Sequence, residues 1–153
     1  MINEKLAELG ITLPEAPMPL ASYVPGKIVG GFLYTSGQVA LQNGTLTHKG
    51  KVGANLSDDE GIAAARVCAL NCLAVAKKFL GELDRIEEIV KLTVFVNSAD
   101  GYSDQPKIAN GASNLMVEIF GEKGKHTRSA VGVSGLPLDS PVEIEMIAKI
   151  EEK

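Results

Sequence analysis

The side chains best able to do chemistry in this 153-residue chain gather near its C-terminus, in residues 126–148, HTRSAVGVSGLPLDSPVEIEMIA. The stretch reads as two strands around a Gly135–Pro141 turn rich in chain breakers. Side chains alternate along a strand, so Arg128, Ala130, Gly132 and Ser134 share one face, and Ser129, Val131 and Val133 the other. The arginine's companions are all small, which predicts free volume above the sheet and one guanidinium at its rim. A guanidinium is a planar fork that matches a carboxylate through two parallel hydrogen bonds, so a small carboxylate ligand fits this pattern. The alternative is a surface arginine paired with Glu143 or Glu145. In the second strand, 142–149, Val142, Ile144 and Met146 face inward, and Glu143 and Glu145 face the other way.

Other candidates are weaker taken singly. Tyr23 ends a proline-stiffened lead-in (Pro14, Pro17, Pro19), just before Pro25-Gly26, where it can aim a hydroxyl at a site; a surface aromatic is the alternative. Ser36 in Ser36-Gly37-Gln38 has no histidine in a triad-like context, which argues against a serine hydrolase. Cys68 and Cys72 stand four apart on a helix without a further ligand, so they read as small buried thiols and no metal site is expected. The short clusters His48-Lys49-Lys51 and Lys123-Lys125-His126 read as solvated loops.

The elements that must position these residues follow from pattern and punctuation. Residues 3–9 can form a short helix ended by Gly10. Residues 28–35 read as one strand, with a bulge at Gly30-Gly31. Asn43-Gly44 signals a tight turn between strands. Ser57 and Glu60 have capping-box spacing and open an alanine-rich helix that Gly81 ends. Residues 89–96 form a nearly continuous apolar strand, of the kind covered on both faces. Ser103 or Asp104 caps a second long helix, to about Phe120; Asn110-Gly111 inside it marks a tight contact or a break. The result is one α+β domain over 1–153, residues 1–16 being an N-terminal extension: a single mixed sheet with two helices on one face. The other face then needs burial, most economically in an oligomer.

Composition fits a soluble globular protein: 45% hydrophobic, 22% charged, net charge −4. An acidic chain with 5% aromatics and no Trp does not suit nucleic acid. No secretory signal or membrane span is expected. The two helical cysteines fit a reducing cytosol, and a cytoplasmic protein is expected.

Four motifs, in order, resemble the YjgF/RidA family, also called L-PSP endoribonuclease-like. They are Ala21-Ser22-Tyr23-Val24-Pro25-Gly26, Leu33-Tyr34-Thr35-Ser36-Gly37-Gln38, residues 89–96 (IVKLTVFV), and Thr127-Arg128-Ser129-Ala130-Val131 with its following Leu-Pro and Val-Glu-Ile-Glu. They span residues 17 to 150. The resemblance implies a chorismate-mutase-like homotrimer with a cleft at each subunit interface. It also implies hydrolysis of reactive 2-imino or enamino acids, such as 2-aminoacrylate, to 2-keto acids and ammonia, with no cofactor. By the same resemblance Arg128 would hold the substrate carboxylate, Tyr23 would close the site, Ser36 would line it, and Glu143 would orient water or a proton near the imine carbon. Asn110 would be a helix residue beside the ligand. The chain departs from the best-studied branch in its N-terminal segment, in a longer connection at about residues 45–55, and in Ala130, where that branch often has cysteine; it resembles a longer subgroup. A non-catalytic trimer binding small carboxylates or 2-keto acids would use the same arginine and stays open; an endoribonuclease fits the acidic composition poorly.

Overall fold

The computed structural model describes residues 1–18 and 21–152; Pro19 of the expected lead-in lies outside them. Elements run α1 (Ile2–Glu8), β1 (Gly26–Val29), β2 (Phe32–Thr35), β3 (Gln38–Val39), β4 (Leu41–Gln42), β5 (Thr45–Leu46), α2 (Asp58–Leu80), β6 (Ile86–Asn97), α3 (Gln105–Phe120), β7 (Thr127–Val133) and β8 (Val142–Ile150).

The mixed sheet has the order β1-β2-β8-β6-β7, with β3 pairing the upper part of β8. Among the described strands of this sheet β6 and β7 pair in parallel and the other neighbours antiparallel; α3 supplies the crossover between β6 and β7. The expected single strand 28–35 is two strands. Gly30 (φ 57°) and Gly31 (φ 82°) form the turn of a hairpin pairing Val29 with Phe32. Two consecutive positive φ angles suit a primed turn, so the glycine pair reverses the chain rather than bulging it. Asn43 (φ 53°) and Gly44 (φ 79°) do the same between β4 and β5.

Helix α2 starts as its sequence requires. Ser57 Oγ accepts from the Glu60 backbone N–H at 3.2 Å, and Glu60 Oε1 accepts from the Ser57 backbone N–H at 3.1 Å. Its alanine stripe (Ala64, Ala65, Ala69, Ala76) is fully buried, which lets the helix lie close on the sheet. Helix α3 is continuous through Asn110-Gly111. A Cβ on Gly111 would run into the backbone carbonyl of Ile62 on α2, so the glycine is what brings the two helices together.

Helices α2 and α3 pack on this side of the sheet, as expected, and among the described residues a third helix, α1, packs against α3 and the turn before β6. Leu6 of α1 is buried in the core, and the Ile2 amide donates to Asp84 Oδ1 at 3.0 Å, so residues 2–8 are part of the domain rather than an appendage. The other sheet face is open. β6 is therefore covered on one side: Leu92, Val94 and Val96 are fully buried, whereas Lys91, Thr93 and Phe95 are half-buried. Val29 (54% exposed), Tyr34 (43%) and Val131 (45%) stand on that open face. Among the described residues no helix is long and apolar enough to cross a membrane.

Candidate functional site

Arg128 sits on β7, an edge strand. It is in register with Leu92, which is in register with Met146. Both of those are buried under the helices, so Arg128 points to the helix side. There its Nη1 donates to Asn110 Oδ1 at 2.8 Å and to Ser113 Oγ at 3.1 Å. Asn110 and Ser113 are three apart on α3 and so share one face. His126 lies beside them, with Nε2 2.9 Å from Ser113 Oγ and Nδ1 2.6 Å from the Gly124 carbonyl oxygen.

The small residues beside Arg128 do not open a volume over the guanidinium itself: Gly132 and Ser134 border a hollow of ≈ 520 Å³ farther along the strand, which Arg128 does not line. A Cβ on Gly132 would stand 2.8 Å from both Gln105 Nε2 and Ser98 Oγ, and Ala130 packs against the core. They are small because α3 approaches closely, which leaves the guanidinium at the rim. The alternative pairing of Arg128 with Glu143 or Glu145 is not formed. Both acids lie on the opposite sheet face, and the arginine's partners are uncharged.

Tyr23, Ser36 and Glu143 form a second group. Ser36 Oγ donates to the Val24 carbonyl at 2.6 Å, and its amide donates to the Pro25 carbonyl at 2.8 Å. These bonds lace the Tyr23 loop to the end of β2; the tyrosine itself is 57% exposed. Glu143 on β8 faces the open side, in register with Val39 and Phe95. Gly37 lies against its carboxyl group, where a Cβ would be 2.9 Å from Glu143 Cδ. Tyr23, Gly37, Gln38, Leu138 and Glu143 line a groove of ≈ 230 Å³. Leu138 reaches it from a left-handed conformation (φ 60°), uncommon for a branched side chain. Burial, and then the charge of Glu145, raise the Glu143 carboxyl above its usual range. A larger hollow of ≈ 770 Å³ along residues 14–18 and α2 contains none of the candidate residues.

So the structure gathers Arg128 with Asn110, and Tyr23 with Ser36 and Glu143, but does not join the two groups within one chain. Sequence reading missed Ser113 and misplaced His126 as a solvated loop residue. The signal was the spacing Asn110-x-x-Ser113, which puts two polar groups on the helix face toward Arg128. Lys51 is also no free loop cation: its Nζ donates to Asn97 Oδ1 at 2.8 Å and to the Ser134 carbonyl at 2.7 Å. The 45–55 connection is thereby tied to the end of β6 and does not line the Tyr23–Glu143 groove. Cys68 and Cys72 are fully buried, and each donates to a carbonyl of β8, at 3.3 and 3.4 Å. Burial raises both thiols, Cys72 to about 12, so neither supplies a nucleophilic thiolate.

Comparison with known proteins agrees with this architecture. Residues 3–150 match the family described as "YjgF/chorismate mutase-like, putative endoribonuclease". Protein TCP17 of Trypanosoma cruzi is 42% identical over 150 residues, covering 97% of this chain and 94% of that protein. The 2-iminobutanoate/2-iminopropanoate deaminase of Dermatophagoides farinae is 30% identical over 141 residues, covering 92% and 95%. The crystal structure of Atu1372 from Agrobacterium tumefaciens, a protein of unknown function, superposes with a TM-score of 0.92 at 42% identity, covering 98% of this chain and 92% of that one. Fold, motif order and full-length matches converge, and the chain belongs to the YjgF/RidA family.

Proposed function

We propose that this protein is an enamine/imine deaminase that hydrolyses 2-imino and 2-enamino acids to 2-keto acids and ammonia. We propose further that it works as a homotrimer in which Arg128 and Asn110 of one copy face Tyr23, Ser36 and Glu143 of another. The observation that carries the reading is the arginine. Nη1 is committed to Asn110 and Ser113, while Nε and Nη2 make no hydrogen bond to the described residues. That leaves a two-point donor edge on a free sheet edge, suited to a small carboxylate. The deaminase name of a 30% identical, full-length relative supports the substrate class.

The chemistry asks for little more. Protonation of the enamine at its terminal carbon, with loss of one proton from its nitrogen, gives the imine, whose carbon is already electrophilic. Water adds there, and ammonia leaves as the carbonyl forms: R–C(=NH)–COO⁻ + H₂O → R–C(=O)–COO⁻ + NH₃. Glu143, half-buried and raised in pKa, is suited to pass a proton between water and nitrogen nearer neutral pH than an ordinary glutamate. Tyr23 and Gly37 border the groove in which that water would sit.

The test is keto-acid release from imino acids generated in situ by an amino-acid oxidase, measured as protection of a competing amine trap. Accelerated release by the wild type, lost in Arg128→Ala, is expected. Tight keto-acid binding without acceleration would leave a carboxylate-binding protein in place of an enzyme.

A further inference from the structure

The hydrogen bonds around Arg128 have a fixed direction. A carbonyl oxygen only accepts, so His126 Nδ1, 2.6 Å from the Gly124 carbonyl, must carry the hydrogen. In a neutral imidazole Nε2 is then the acceptor, and the partner 2.9 Å away is Ser113 Oγ, which must donate to it. With its hydrogen committed, Ser113 Oγ presents lone pairs to Arg128 Nη1 at 3.1 Å. The second N–H of Nη1 goes to Asn110 Oδ1 at 2.8 Å.

The far end of this chain of bonds is held rigidly. Gly124 is buried, and a Cβ there would collide with the backbone carbonyl of Met116 at the end of α3. Its carbonyl therefore cannot drift from His126 without opening the α3–β7 connection.

We infer that His126, acting through Ser113, is a positioning residue: it holds Ser113 as an acceptor, pins Nη1 of Arg128, and thereby selects the Nε/Nη2 edge of the guanidinium as the one offered to a carboxylate. Histidine suits this position because one ring both donates to the Gly124 carbonyl and accepts from Ser113. The inference rests on Arg128 being the carboxylate anchor. It adds two residues, and an orientation, that the anchor reading alone does not require.

Two measurements test it. The first needs no substrate. Long-range ¹H–¹⁵N spectra at about pH 8.5, where imidazoles are generally neutral, are recorded on the wild type and on Ser113→Ala; the chain has two histidines, so His48→Gln assigns the signals. The Nδ1–H tautomer is expected for His126, with the Nε2 shift moving in Ser113→Ala. An Nε2–H tautomer overturns the inference whatever the protein's activity.

The second measures imine hydrolysis and the calorimetric Kd for 2-ketobutyrate in Ser113→Ala, His126→Ala, the double variant, Ser113→Thr and Arg128→Ala, each checked for folding by thermal melting. Loss of one supporting hydrogen bond is expected to raise KM and Kd by about 3- to 10-fold with kcat little changed. Ser113→Thr keeps the hydroxyl and is expected to behave as the wild type. The double variant is expected to be no worse than Ser113→Ala, because the two act as a unit. Additive losses, or unchanged KM in both single variants while Arg128→Ala is impaired, overturn the positioning role. If Arg128→Ala itself binds and turns over normally, the anchor reading fails and this inference falls with it, whereas the tautomer result still reports on the bond direction.

Discussion

Arg128 and Glu143 project from opposite faces of one sheet. Arg128 is in register with Leu92 and Glu143 with Phe95, three residues along the same strand β6. An odd offset reverses the face. β6 also stands between them, so they are separated by two strand spacings, roughly 10 Å, as well as by the sheet's thickness. A substrate of a few heavy atoms cannot bridge that, and a site using both residues has to draw them from two chains.

That geometry predicts complementation. Arg128→Ala and Glu143→Gln should each be inactive alone. Refolded together in equal amounts as trimers, they should recover about a quarter of wild-type sites, because one chain in a mixed pair supplies an intact arginine and its neighbour an intact glutamate. Sedimentation should show a trimer in each preparation. A persistent monomer, or no recovery in demonstrably mixed trimers, would show that the halves do not meet across an interface.

Arg128→Lys should lower kcat/KM by about 10- to 100-fold or more. Lysine keeps the charge but cannot hold Asn110, Ser113 and a carboxylate in one plane. Stability should fall only modestly, because the lost partners are hydroxyl and amide groups at a half-exposed rim, each contributing about 1 kcal/mol. Thermal melting and steady-state kinetics on one preparation separate the two effects; unchanged turnover and keto-acid affinity would remove the arginine from the site.

Much of this was legible in the chain because the signals are local. Ser57 and Glu60 announce a cap, Gly81 an end, Asn43-Gly44 a turn, and the alternation from Val142 to Met146 the two faces of β8. What could not be read depends on contacts between distant segments. The small side chains at Ala130 and Gly132 look the same whether they border empty space or an approaching helix; only the placement of α3 decides. His126 looked like one more polar residue after Lys123 and Lys125 because its partner Ser113 lies on a separate element. Gly30-Gly31 is compatible with a bulge or a reversal, and the pairing of β1 with β2 settles it.

Glu143→Gln should show a pH-dependent gain in stability alongside loss of turnover. The folded-state carboxyl is raised above its usual value, by burial and then by Glu145, so the native state binds the proton more tightly than the unfolded chain. Ionisation therefore destabilises the wild type as pH rises through the folded pKa, and the penalty disappears below the ordinary glutamate value of 4.5. Relative to wild type, the glutamine variant should be more stable at neutral pH and indistinguishable in acid. Denaturant midpoints at three or four pH values check this. A gain that grows as pH falls would reverse the assigned direction.

Gly111→Ala puts helix propensity against packing. In an exposed helix interior the change would add about 0.5–1 kcal/mol of stability. Here the new methyl meets the backbone carbonyl of Ile62, which cannot swing aside like a flexible side-chain tip. Helix α3 must move off α2, and overpacking of this kind costs about 1–3 kcal/mol. The contact should win, giving a net loss. The same displacement carries Asn110, the preceding residue, away from the Arg128 guanidinium, so keto-acid affinity should fall with stability. Gly81→Ala is the comparison: it caps α2 with φ 84° and nothing within 4 Å of its Cβ, so backbone strain alone should destabilise it, with ligand affinity intact. If Gly111→Ala melts at or above the wild-type temperature, the close approach of α2 and α3 is not what requires glycine, and the account of how Asn110 reaches Arg128 has to change.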